Sequence, residues 1–194
     1  ELNSLSQQVK ACLERAQHDS RLLRPIIDSL VRIVGAVKPA MVAARAPWMG
    51  LAAATGAAQQ LMRLEQLPGA REVVRKHHLA HMFVLRLQSE LKWLSTLNYS
   101  SQHPDLLALR LFLPVVLEAV DSAVTRGDET QVRLLLNMKA IRIIVDATIK
   151  VWAAEGVQES ERAELVGLLR RLDDDWWKSA APIWWSSPAL LHAP

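Results

Sequence analysis

Residues 104–125 read PDLLALRLFLPVVLEAVDSAVT and predict a single long α-helix. Apolar side chains recur every three or four positions, which is the period of a helix with one buried face. Pro104 suits the first helical position, and Asp105 is favourable near the positive end of the helix dipole. Pro114 lies inside the segment and predicts a kink. The same period runs through most of the chain, with no strand-like alternation and no hairpin signal.

Pro and Gly divide the rest of the chain into further helical segments. We expect Arg24-Pro25, Lys38-Pro39 and Pro68-Gly69 to end helices, because Pro lacks an N–H group and restricts the residue before it. The predicted helices cover residues 4–23, 25–37, 47–67, 70–97, 104–125, 128–154 and 160–178, and a short turn covers 39–47.

Two of these helices begin at a recognisable cap. Asp128 is expected to cap the helix that follows, with Gln131 as a capping-box partner three residues later. Ser160 is expected to cap the last helix. Residues 141–152, IRIIVDATIKVW, are apolar on more than one face and predict the most buried element. Asp146 interrupts this run, and we expect it to face outward beside Arg142 or Lys150.

These features predict an all-α fold. We expect an antiparallel bundle of six or seven helices, with a long helix at about 70–97 and a Pro-kinked helix at about 104–125. A chain of 194 residues is sufficient for one domain with its own core. Within that domain, the predicted parts are an N-terminal helical cap (1–68), a main bundle (69–179) and a Trp-containing tail (180–194).

Charge and cysteine content restrict the classes of partner and compartment. Residues 1–100 hold 13 Lys/Arg and 7 Asp/Glu (net +6), and residues 101–194 hold 10 and 13 (net −3). No Lys/Arg cluster alternates with aromatic residues or glycine, so the pattern does not favour nucleic-acid binding. The single Cys12 excludes an intramolecular disulfide and fits a reducing, cytoplasmic setting. No run of about 20 apolar residues free of charge predicts a membrane span.

No set of residues predicts catalysis or a cofactor. The segment KHHLAHM places His77 and His81 four residues apart, a spacing on one helix face that zinc sites use. A catalytic zinc helix needs a glutamate directly after the first histidine, and that position is His78. We therefore expect a polar helix face and treat His77 and His81 as a weak metal candidate. Cys12 lies on an apolar stripe, where an inert thiol is expected.

The stretch DDDWWKSAAPIWW at 173–185 contains four of the seven Trp residues. Adjacent helix positions point about 100° apart, so only Trp176 of the first pair can centre on a buried stripe with Leu165 and Leu172. Pro182 is expected to end the helix by about Ala181. The candidate partner-binding residues are Trp176, Trp177, Trp184, Trp185, Asp173, Asp174 and Asp175. Three hypotheses stay open: the tail caps the core, forms a protein-docking patch, or inserts at a membrane interface.

The sequence therefore favours a non-enzymatic helical module that binds a protein partner, as an adaptor, a scaffold or a regulator. A lipid or other apolar ligand, held in a cavity that Pro114 opens or at a membrane surface, is the alternative hypothesis. A metal-dependent helical enzyme built on His77 and His81 is the remote one.

Overall fold

The computed structural model describes residues 20–35, 47–96, 104–152 and 158–185. Within these ranges the chain is all-α, with eight helices and no strand. The helices are α1 (Ser20–Gly35), α2 (Pro47–Gln66), α3 (Pro68–Arg75), α4 (Leu79–Thr96), α5 (Pro104–Thr125), α6 (Glu129–Asn137), α7 (Ala140–Trp152) and α8 (Glu159–Trp185). The predicted helical bundle is confirmed. The predicted turn at 39–47 and the helix before residue 20 lie outside the described residues.

Helix α5 is the centre of the bundle and packs against α2, α4, α7 and α8. The ring centroids of Phe112 on α5 and Phe83 on α4 are 6.3 Å apart. The Trp93 indole near the end of α4 donates a 2.9 Å hydrogen bond to the buried carboxylate of Asp105 in the first turn of α5. These two contacts show that α4 and α5 are antiparallel. The apolar face of α5 supplies much of the core, through Leu109, Phe112, Leu113, Val116, Leu117 and Val120.

Several predicted helix boundaries are confirmed. Helix α2 ends at Gln66 and α3 starts at Pro68, as the Pro68-Gly69 pair predicts. Pro104 begins α5. Asp128 caps α6, because its side chain accepts a hydrogen bond from the Gln131 amide.

The long helices predicted at 70–97 and 128–154 are each two helices, so both predictions are wrong in this respect. The first is broken between α3 and α4 at His78, with φ of 49°, and the second between α6 and α7 at Lys139, with φ of 56°. Left-handed backbone at a residue with a side chain costs about 1–2 kcal/mol, so packing must favour these breaks. Helix α3 packs on α1 and α2, whereas α4 packs mainly on α5 and α7.

The proline positions give two further corrections. Helix α1 runs from Ser20 through Pro25, where a break was predicted. The last helix continues to Trp185, past the predicted end at about Ala181. Proline adopts a helical φ and removes one hydrogen bond, which weakens a helix without forbidding it. In α1 the buried residues Leu23, Ile27, Leu30 and Val34 offset this loss.

Two other predictions about the second half of the chain are also wrong. Helix α8 begins at Glu159, so Ser160 lies inside its first turn and does not cap it. Helix α7 is not the most buried element, because Val145, Ile149 and Trp152 are exposed. Asp146 faces solvent, as predicted. The division into parts at 1–68, 69–179 and 180–194 stays a prediction.

Buried charges connect helices through the core. Arg86 and Glu90 lie one turn apart on α4, are 3% and 1% exposed, and form a 2.9 Å ion pair. The Arg86 guanidinium also donates to the carbonyl oxygen of Val34 near the end of α1. The buried carboxylate of Glu65 on α2 pairs with Arg126, just after α5, at 2.7 Å. Such groups need their partners, because an isolated buried charge is costly.

The backbone at Lys139 yields a test of the break between α6 and α7. We expect Lys139→Gly to raise the free energy of unfolding by up to about 1 kcal/mol, because glycine adopts positive φ without steric cost. The matched control is Glu118→Gly at an exposed position within α5, and it should lower the free energy of unfolding by about 1 kcal/mol. Chemical denaturation measures both. If Lys139→Gly lowers the free energy of unfolding as much as the control does, the helix is continuous at Lys139 and the break is contradicted.

A second test compares two Arg–Glu pairs that are each four residues apart on one helix. Glu90→Ala leaves Arg86 buried without its carboxylate, and we expect a loss of about 3–5 kcal/mol in unfolding free energy. Glu129→Ala removes the exposed partner of Arg133 and should cost less than about 1 kcal/mol. Equal losses in the two variants would contradict the burial of the Arg86–Glu90 pair.

Candidate functional site

The Trp cluster near the end of the chain divides into one core residue and three whose side chains lie outside the described structure. Trp176 is 7% exposed and packs in the core with Leu165 and Leu172, as the helix geometry predicted. Helix α8 includes the backbone of Trp177, Trp184 and Trp185. Asp173 is exposed. The side chains of Asp174 and Asp175, like those of the three Trp residues, are outside the described part, so the docking patch on this segment stays a prediction.

His77 and His81 do not share the helix face that made them a weak metal candidate. His77 follows the end of α3 and His81 lies on α4, so the break at His78 removes the shared helix face. His77 instead has its Nε2 atom 3.5 Å from the Asp28 carboxylate of α1. Across the described ranges, no group of three or more His, Cys, Asp or Glu is arranged to hold a metal ion.

Asp128 and Gln131 connect the start of α6 to the start of α4. The Asp128 carboxylate accepts hydrogen bonds from both the backbone and the side-chain amide of Gln131. The side-chain oxygen of Gln131 then accepts the Ala80 N–H, one of the free donors in the first turn of α4. The sequence predicted Gln131 only as a local capping partner of Asp128, because a bond across 51 residues leaves no local pattern.

Burial, hydrogen bonds and nearby charges shift the pKa values of two residues at this junction. Burial lowers the pKa of His81, and nearby His78 lowers it further. Burial would raise the pKa of the Asp128 carboxyl, but the hydrogen bonds from Gln131 outweigh it, with smaller contributions from His78 and Arg126. The net result is a pKa below the usual value for Asp128. The junction is therefore most stable with Asp128 ionised and His81 neutral.

The start of α8 is fixed by Glu161. Its carboxylate accepts a hydrogen bond from Arg110 of α5 and a second one, of 2.9 Å, from the Gln158 backbone N–H. The Arg110 bond is the larger cause, and the Gln158 bond the next, of a lowered pKa at Glu161. Arg162 lies over the Trp152 ring, with its Cζ atom 5.9 Å from the ring centroid. These contacts position α8 against both α5 and α7.

A groove between α4 and α7 is a candidate binding surface. Its apolar residues are Leu91 from α4, Met138 from the turn before α7, and Ile143 and Ile149 from α7. Among the described residues, its charged lining comprises four cations and one carboxylate: Lys92, Lys139, Arg142, Lys150 and Asp146. Gln88 and Ser95 complete the lining. The groove therefore combines these four apolar residues, which we call its floor, with mainly cationic residues on the two sides formed by α4 and α7, which we call its walls.

An exposed apolar stripe runs along α7 beside this groove. Val145, Ile149 and Trp152 are spaced four and three residues apart, so they lie on one face of the helix. Their exposed fractions are 41%, 61% and 39%, although each residue type is usually covered. Ile149 belongs to both the stripe and the groove lining. We name the stripe and the groove together the α7 surface.

A second groove lies where Pro114 faces α8. Pro114 and Leu168 are among its lining residues, together with four charged side chains: Glu118, Asp121, Arg126 and Arg171. This is an open, charged groove and differs from the apolar cavity that the lipid hypothesis placed at Pro114. That hypothesis stays untested.

None of the described helices is both long and apolar enough to cross a membrane. No protein-family model, curated protein or solved structure matches this chain.

The lowered pKa of His81 yields a test of the α4–α6 junction. As pH falls, the unfolded chain takes up a proton at His81 near pH 6.5 (about the unperturbed value), before the folded chain does. Stability is therefore lost below about pH 6.5. We expect His81→Gln to reduce the loss of thermal stability between about pH 7.5 and 5.5, a window above the titration of Asp128 and Glu161. An unchanged pH dependence would contradict this assignment.

Proposed function

We propose that this chain is a non-enzymatic module that binds an α-helix of a protein partner on the α7 surface. The observation that carries the proposal is the exposed stripe of Val145, Ile149 and Trp152 beside a groove with an apolar floor. An amphipathic helix places apolar residues at the same spacings of three and four, so its ridge matches this floor. The proposal includes the reducing, cytoplasmic setting that the single Cys12 favours.

Burial of the stripe supplies the driving force in this proposal. Removing apolar surface from water contributes about 25 cal/mol for each Å² buried. Ile149 is central because it is the most exposed member of the stripe and also lines the groove. Trp152, whose ring already packs against Arg162, offers a preorganised aromatic surface at one end of the stripe. Both residues therefore gain contacts without rearrangement of the bundle.

The decisive experiment selects helical peptides and then tests where they bind. A displayed library of designed amphipathic helices is selected against the folded protein, and the affinity of each selected peptide is measured by fluorescence anisotropy. We expect Ile149→Glu to weaken binding by about tenfold or more, because the charge would be buried against the apolar ridge of the peptide. Ile149→Glu, its control variant Leu111→Glu and the parent protein are first shown to be folded by circular dichroism and thermal melting.

Leu111→Glu is the matched control. Leu111 is 63% exposed and Ile149 is 61% exposed, and Leu111 lies on α5 and is not among the residues of the α7 surface. We expect it to leave peptide binding unchanged. Failure to select any peptide, or equal sensitivity to both substitutions, would contradict the proposal. If Ile149→Glu instead converts a dimer into monomers in sedimentation, a second copy of this chain covers the surface, and the proposal of a foreign helix is wrong.

A further inference from the structure

We propose that the partner helix is acidic, with carboxylates on both sides of its apolar stripe. This inference rests on the proposed function of the α7 surface and identifies the chemistry of its occupant. The groove has cations on both walls: Lys92 on the α4 side, and Lys139, Arg142 and Lys150 along the α7 side. Asp146 is the single carboxylate among the described residues that line the groove.

Two cations of the groove, one from each helix, are available to a ligand. Lys92 and Arg142 are exposed, and neither forms a salt bridge with a carboxylate within the part of the chain that the structure describes. Other exposed arginines do have acidic partners, such as Arg133 with Glu129 on α6. A ligand carboxylate therefore meets Lys92 and Arg142 without displacing an existing ion pair.

The cations of the groove determine where the partner helix should have its acidic residues. When one helix ridge enters a groove, the residues that flank the ridge lie beside the groove walls, as at the flanking positions of a coiled coil. The α4 side of this groove contributes Lys92 and Leu91, and the α7 side contributes Arg142, Lys150, Ile143 and Ile149. Glu or Asp at the flanking positions would be complementary, whereas Lys or Arg there would be repelled.

A helix is favoured over an anionic membrane because the apolar residues line a groove between two helices. Leu91 and Ile143 lie in that groove, and Ile143 is buried, so a rounded ridge reaches them and a flat lipid surface does not. Membrane binding through the same cations is a distinct outcome, which sedimentation with anionic vesicles would detect.

The test uses three helical peptides that share one leucine stripe and differ only at the flanking positions, which are all Glu, all Gln or all Lys. Affinities are measured by fluorescence anisotropy at about 0.1 M and about 1 M salt, where the Debye length falls from about 10 Å to about 3 Å. We expect the Glu peptide to bind about tenfold or more tightly than the Lys peptide at the lower salt concentration, and the difference to shrink at the higher one.

Charge reversal on the protein then identifies the residues responsible. The double variant Lys92→Glu/Arg142→Glu should reverse the order, so that the Lys peptide binds more tightly than the Glu peptide. The control is Arg24→Glu/Arg32→Glu, which changes net charge equally through two exposed residues of α1. We expect the control to keep the preference for the Glu peptide, because long-range effects of net charge are screened.

The outcomes separate this inference from the function on which it rests. If all three peptides bind equally and all lose affinity with Ile149→Glu, helix docking stands and the preference for acids is wrong. If none of the three binds, and library selection also fails, the proposed function is wrong. Vesicles that contain phosphatidylserine form the last arm. Sedimentation with these vesicles that depends on Lys92 and Arg142, without any preference for the Glu peptide, would overturn the inference in favour of a lipid surface.

Discussion

Positive φ angles at His78 and Lys139 determine where the α7 surface lies. Each residue lies in the short link between two helices, so α4 is a separate helix from α3 and α7 is a separate helix from α6. Without these breaks, residues 70–97 and 128–154 would each form a rod about 40 Å long. The groove depends on both breaks, because one wall belongs to α4, the other belongs to α7, and Lys139 itself is among the lining residues.

Buried polar contacts then fix the register in which the helices meet. A core of Leu, Val and Ala tolerates several relative positions of its helices with small losses of stability. A hydrogen bond or an ion pair is satisfied in only one position. Gln131 joins α6 to the first turn of α4, Arg86 joins α4 to α1, and Glu65 joins α2 to the residue after α5. The first two contacts hold α4 against α6 and α1, and a stable groove wall follows.

Sequence periodicity predicted the helical bundle, most helix boundaries and the burial of Trp176, because these depend on local spacing and on Pro positions. It did not predict the two breaks, because His and Lys carry no preference for positive φ comparable to that of glycine. The groove was also missed, since its walls come from segments more than 40 residues apart that only tertiary packing brings together. Predictions of candidate sites therefore concentrated on the visible clusters, His77 with His81 and the Trp residues of 173–185.

In helix α7, an apolar pattern on two faces corresponds to one face buried in the core and one face exposed to solvent. Such a pattern predicts burial within the domain, and in α7 one face does pack in the core through Ile144, Ala147 and Val151. The other face remains exposed at Val145 and Ile149, as large apolar residues do at surfaces that meet a partner. Exposure alone does not distinguish α7 from α5, where Leu107 and Leu111 are also exposed. The difference lies in the neighbouring charges. On α5, Arg110 is neutralised by Glu161, whereas Lys92 and Arg142 of the groove form no salt bridge within the described ranges, and these two cations are what selects an acidic helix in our proposal.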